Sequence, residues 1–77
     1  MSPDRLAYMA NQIGRFYAHQ PHDKAVAAIE QHLRRFWDPR MRASIIARPD
    51  GETVRLDPAV REAVGRLTAQ QAEKQPA

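Results

Sequence analysis

Apolar residues recur every three or four positions along most of the chain, and prolines cut this rhythm into segments. From Pro3 onward, Leu6, Met9, Ala10, Ile13 and either Phe16 or Tyr17 gather on one helical face, while Arg5, Asn11, Gln12 and Arg15 occupy the rest. After the break at Gln20-Pro21, Val26, Ile29, Leu33 and either Phe36 or Trp37 repeat the spacing, with Glu30 and Arg34 one turn apart as an outer ion pair. This second helix is predicted to end at Trp37, where the approach to Pro39 disfavours helical torsions. A short third helix from Pro39 buries Met41 and Ile45 or Ile46, up to a turn at Arg48-Pro49-Asp50-Gly51. Thr53, Val54, Arg55 and Leu56 alternate, but so short a run cannot sustain a sheet alone. The last helix starts at Pro58 and turns Val60, Val64 and Leu67 inward.

The helix starts share one chemistry. Ser2-Pro3, Asp38-Pro39 and Asp57-Pro58 each place a side-chain acceptor at the N-cap and proline at the first helical position, where its missing N–H costs nothing. A further start is expected at Pro21-His22-Asp23, with Asp23 as the cap. The predicted fold is therefore all-α, a small helical bundle made of a helical hairpin plus one or two shorter helices laid across it. Residues 1–68 form its single domain, and residues 69–77, with little to bury, form a flexible, disordered tail.

At 77 residues the core is thin, and the absence of cysteine removes disulfides and thiolate-bound metal centres as staples. A chain of this kind is expected to be marginally stable alone and to reserve some apolar surface for a partner. Met1-Ser2-Pro3-Asp4 lacks the basic-then-apolar layout of a secretory signal, and no apolar run is long enough to span a membrane, so a cytoplasmic protein without membrane association is expected.

Candidate chemistry thins quickly under inspection. His19 and His22 have a suggestive spacing, but Pro21 lies between them, and His32 is the only further imidazole, so no metal site is assigned. Ser2 and Ser44 have no base-and-orienter constellation, and Gly14, Gly51 and Gly65 stand isolated rather than in a phosphate-cradling loop. No catalytic, cofactor-binding or metal-ligating residue is therefore expected. The net charge is only +3, yet arginine is chosen over lysine ten times to two, which points to anion contacts or a protein interface. Arg34, Arg35, Arg40, Arg42 and Arg48 form a basic stripe that a small nucleic-acid-binding module could use. That reading ranks second, because the charge is modest and Arg34 and Arg35 also face the negative end of their own helix.

A protein interface uses the same residues with fewer assumptions. Tryptophan, arginine, methionine and phenylalanine are enriched at interface centres, and all four occur within Phe36 to Arg42. The expected partner-binding residues are Arg34, Arg35, Trp37, Arg40, Met41 and Arg42. In this reading Leu33 and Phe36 satisfy the core, Trp37 is the apolar anchor, and Arg40 and Arg42 meet carboxylates or carbonyl ends around it. The competing reading places Trp37 itself in the core corner between two helices.

The segments Met9-Ala10-Asn11-Gln12-Ile13, His32-Leu33-Arg34-Arg35-Phe36-Trp37-Asp38-Pro39-Arg40-Met41-Arg42 and Leu56-Asp57-Pro58-Ala59-Val60-Arg61-Glu62-Ala63-Val64 carry a resemblance. In order and spacing they resemble the small delta subunit of soluble, NAD-dependent formate dehydrogenases of the molybdenum or tungsten type. The resemblance covers Leu6 to Leu67; the loop from Arg48 to Arg55 is its least typical part. It implies a non-catalytic accessory subunit that binds no cofactor and associates with the catalytic alpha subunit, supporting its assembly, stability or cofactor maturation. In that family the alpha subunit holds the pyranopterin metal centre and iron-sulfur clusters, and beta and gamma subunits pass electrons through flavin to NAD. No catalytic residue is implied for the delta chain.

Overall fold

The computed structural model describes residues 2–74, with side chains through residue 69. Its elements are α1 (Pro3–Phe16), α2 (His22–Phe36), α3 (Pro39–Ala47) and α4 (Pro58–Lys74), and no strand occurs among the described residues. The all-α bundle predicted from the spacing is the observed fold. Helix α4 runs past Thr68 to Lys74, and residues 75–77 of the expected tail lie outside the described residues.

Helices begin at Pro3, Pro39 and Pro58, and side-chain caps form at the first two of these starts. Ser2 Oγ accepts from the Arg5 backbone N–H at 3.2 Å, and Asp38 Oδ1 accepts from that of Met41 at 2.8 Å, so each side chain satisfies one of the amides a helix start leaves unpaired. The Arg61 N–H reaches the Asp57 carbonyl at 2.8 Å, closing the first turn of α4. The start of α2 differs from expectation. Pro21, extended at φ −53° and ψ 150°, takes the N-cap position itself without a side-chain cap, and Asp23 lies inside the first turn. The turn that closes α1 sets this register, with the Gln20 N–H donating to the Tyr17 carbonyl at 3.0 Å and leaving Pro21 at the helix entrance. Asp23 still places negative charge near the positive end of the α2 dipole.

The core draws on every helix: Leu6, Ala7 and Ala10 from α1, Val26, Ile29 and Leu33 from α2, Ile45 from α3, and Val60, Ala63, Val64 and Leu67 from α4. Helix α2 is central; it touches α1 as the predicted hairpin partner but packs most extensively against α4. Small residues on α1 govern how closely α4 approaches. A Cβ at Gly14 would run into the Val60 side chain, so the residue's helix-weakening cost of about 1 kcal/mol is tolerated for the sake of close contact.

Each terminal aromatic pair splits, one ring inward and one outward. On α1, Tyr17 is half-buried against the core while Phe16 is 72% exposed. On α2 the expected assignment reverses: Trp37 is 6% exposed within the core, and Phe36 is 70% exposed. Both residues lie one turn beyond Leu33, so helical spacing alone does not separate them. Trp37, however, is the C-cap residue with φ −86° and ψ 137°, and these extended torsions swing its side chain into the corner where α2 gives way to α3.

The segment between α3 and α4 is extended but pairs with no strand; side chains supply its hydrogen bonds. Asn11, expected on the polar face of α1, is 8% exposed. Its Nδ2 donates to the Arg55 carbonyl at 2.8 Å, and its Oδ1 accepts from the Asp57 N–H at 2.9 Å, so one amide brackets Leu56 and seats it in the core. Asp4 Oδ1 accepts from the Thr53 N–H at 2.9 Å and the Val54 N–H at 3.1 Å, while Asp4 Oδ2 accepts from the Thr53 hydroxyl at 2.9 Å. Asp50 Oδ1 accepts from the Leu56 N–H at 2.9 Å and from Arg61 at 2.7 Å. At the end of the Arg48-Pro49-Asp50-Gly51 stretch, the Gly51 N–H donates to the Val54 carbonyl at 2.8 Å. Glycine is required there by proximity: a Cβ would stand 2.7 Å from the Asp4 Cα.

These contacts generate predictions for stability. Asn11→Ala removes both bonds of the clamp and leaves part-buried backbone groups without them, a loss of roughly 1–3 kcal/mol measurable in chemical denaturation. Trp37→Ala is expected to cost about 3–5 kcal/mol, whereas Phe36→Ala stays within about 0.5 kcal/mol of the parent. A stable Trp37→Ala protein beside an unfolded Phe36→Ala protein would reverse the assignment of the two rings.

The amide donors of Thr53 and Val54 hold the Asp4 carboxyl below its ordinary value of 3.8, and those of Leu56 with Arg61 do the same for Asp50. Because the folded state favours both ionised forms, their contribution is full above the ordinary carboxylate value and fades as pH falls through the lowered folded ones. Melting temperature followed into that acid range is expected to fall less steeply for the Asp4→Asn, Asp50→Asn double variant than for the parent. An unchanged slope would remove both carboxylates from the account of acid stability.

Candidate interaction surface

The α2–α3 corner brings the predicted partner-binding residues together and divides them by use. Arg34 pairs with Glu30 along α2, as the spacing predicted, and Arg66 of α4 approaches the same carboxylate at 3.7 Å. Arg42 reaches back from α3, its Nη1 donating to the Arg34 carbonyl at 2.9 Å and the Trp37 carbonyl at 2.5 Å. It meets carbonyl ends of its own chain in place of the partner groups expected: the C-terminal carbonyls of a helix lack intrahelical donors and carry the negative end of its dipole. Met41 is half-buried against the core. Trp37 is not an outward anchor, because its indole fills the corner beneath these groups. Arg35 and Arg40 remain exposed and make no ion pair among the described residues.

The apolar surface left open lies beside this corner, along the seam of α1 and α2. Phe16 meets Tyr17 edge-on at 5.0 Å between ring centroids, Tyr17 meets the His32 imidazole at 6.4 Å, and His32 meets Phe36 at 4.7 Å. The row borders a groove of about 420 Å³ lined by Met9, Gln12, Ile13, Phe16, Tyr17, His32 and the edge of Trp37. An adjoining depression of about 210 Å³ shares Tyr17 and His32 and adds Ala28, Gln31, Arg35 and Phe36. This surface, with its exposed phenylalanines, was not anticipated from the sequence. Its one sequence signal is the recurrence of an adjacent aromatic pair at the end of each hairpin helix, since two neighbouring rings on a helix stand about 100° apart and need not share one burial environment.

The remaining candidates stay apart. His22 pairs with Glu62 at 3.1 Å, His19 is exposed in the turn after α1, and His32 stands in the aromatic row. Among the described residues no group of three histidine or acidic side chains gathers as a metal site, and no helix is long and apolar enough to cross a membrane. Arg48 lies 3.9 Å from Glu52, so the basic stripe read from the sequence is interrupted by internal partners at Arg34, Arg42 and Arg48.

No curated protein and no solved structure matches the chain. The family profile described as the NADH-dependent formate dehydrogenase delta subunit FdsD matches residues 5–64, a span that takes in most of α1, all of α2 and α3, the clamped loop and the first turns of α4. The chain belongs to the formate dehydrogenase delta-subunit family.

Proposed function

We propose that this chain is a non-catalytic accessory subunit that docks onto the catalytic alpha subunit of a cytoplasmic NAD-dependent formate dehydrogenase and supports its assembly, stability or cofactor maturation. The observation that carries the reading is the open aromatic surface. In so small a protein, Phe16 and Phe36 stand mostly in water, although either ring would contribute about 1.5–3 kcal/mol if covered. Large rings displayed together beside a groove, with arginine at hand, have the composition of an interface centre. Family membership supplies the complex in which the partner is sought.

The nucleic-acid alternative loses ground on the same surface. Phosphate tracking needs several free cations in a row, and three of the five arginines of the stripe are engaged within the chain. Arg35 and Arg40 are the stripe residues left to meet a partner, in place of the full set of Arg34, Arg35, Trp37, Arg40, Met41 and Arg42.

Deleting the chain from cells that make the complex is expected to lower the yield or metal content of the alpha subunit and, with it, formate-dependent NAD reduction. A tagged chain is expected to retain the alpha subunit through purification. Recovery of the tagged chain without any formate dehydrogenase subunit, together with undiminished activity after deletion, would overturn the proposal.

A further inference from the structure

We infer that the α1–α2 groove takes a short amphipathic segment of a partner polypeptide, one that carries a large aliphatic side chain next to a carboxylate. This deepens the docking reading above and rests on it, since it names the surface used and the chemistry of what it receives. The groove is lined by Met9 and Ile13 together with Phe16, Tyr17 and His32, and the His32–Phe36 pair continues the aromatic row. At about 420 Å³, it falls within the roughly 300–1,000 Å³ span of clefts that bind compact ligands. A pliable thioether and aromatic faces accept a branched aliphatic side chain without demanding one fixed shape.

Charge decides what must stand beside that side chain. No carboxylate lines the groove or its adjoining depression, and Arg35 is the formal cation lining the depression. Arg35 makes no ion pair among the described residues. An occupant that extends from the groove across the depression removes water from this guanidinium, and a charge that loses water needs a paired acceptor. An occupant with a neighbouring Asp or Glu meets that need.

The same charge argues against the other occupants. A symmetric pairing of two copies through this patch would bring Arg35 towards its mate and oppose two chains of net charge +3. A nucleic acid would find bases' worth of aromatic surface but a single cation in the adjoining depression, too little to neutralise a run of phosphates.

The test titrates the full chain against purified formate dehydrogenase prepared without it. Phe16→Ala, Phe36→Ala and Arg35→Glu are each expected to weaken binding by about tenfold or more, with melting temperatures close to the parent because all three side chains are exposed. A photo-crosslinking residue placed at Phe36 is expected to label a partner segment that has an aliphatic residue adjoining Asp or Glu. If the parent chain binds and the three variants bind equally well, the groove is not the docking site while the docking reading stands. If the parent chain does not bind, both fall. Crosslinks to a second copy, to nucleic acid, or to a segment without a carboxylate would each overturn the assignment of the occupant.

Discussion

The fold depends on one buried amide. Asn11 is the polar member of an otherwise apolar face, and its side chain both donates and accepts across a sequence separation of 44 to 46 residues. An extended segment without a strand partner would leave backbone groups unpaired where it meets the core, and Asn11 supplies the missing donor and acceptor on either side of Leu56. With Leu56 seated, Asp57-Pro58 is placed to start α4, and α4 provides the main packing surface for α2. The Asp4 carboxylate reinforces this arrangement from about two turns away, at the start of the same helix. A bond of this kind contributes only about 1 kcal/mol net, but leaving the clamped backbone groups unpaired costs more, so the clamp works mainly by excluding other placements of the loop.

A second constraint acts at the α2–α3 corner. Asp38 caps α3 at its start, and Arg42, one turn further on, caps α2 at its end, so a single turn of α3 satisfies orphan groups of two helices. The bend is thereby held, and Trp37 beneath it fills the angle that two helices leave between them. Because Trp37 turns in, Phe36 turns out, and the aromatic row from Phe16 to Phe36 is a consequence of the corner. The interaction surface proposed for this delta-family chain is thus built by the same geometry that stabilises it.

The three stretches that carry the family resemblance also carry these constraints. Asn11 lies in the first, the Arg34–Trp37–Asp38–Arg42 corner in the second, and Asp57 with α4 in the third. The loop from Arg48 to Arg55, least typical of the family, is held by side chains from outside it as well as by its own Asp50, which leaves its sequence freer except at Gly51.

Much was legible in the sequence because it is local. Proline with a preceding Ser or Asp specifies a helix start within a few residues, and the three-four spacing of Leu6, Ala10, Val26, Ile29, Leu33, Val60, Val64 and Leu67 marks the buried stripes, so the all-α class and most of the core could be read from the chain. Asn11 and Arg42 could not be read, because a polar side chain shows in sequence neither its burial nor its distant acceptors. The Phe36–Trp37 choice was also undecidable by period, since both lie one turn past Leu33; the extended torsions of the cap assign the indole to the core and the phenyl ring to solvent. Local sequence chose where helices begin and which stripe they bury, and tertiary contact chose which polar groups became clamps and which aromatic surface stayed open, because those choices depend on partners more than a helical turn away.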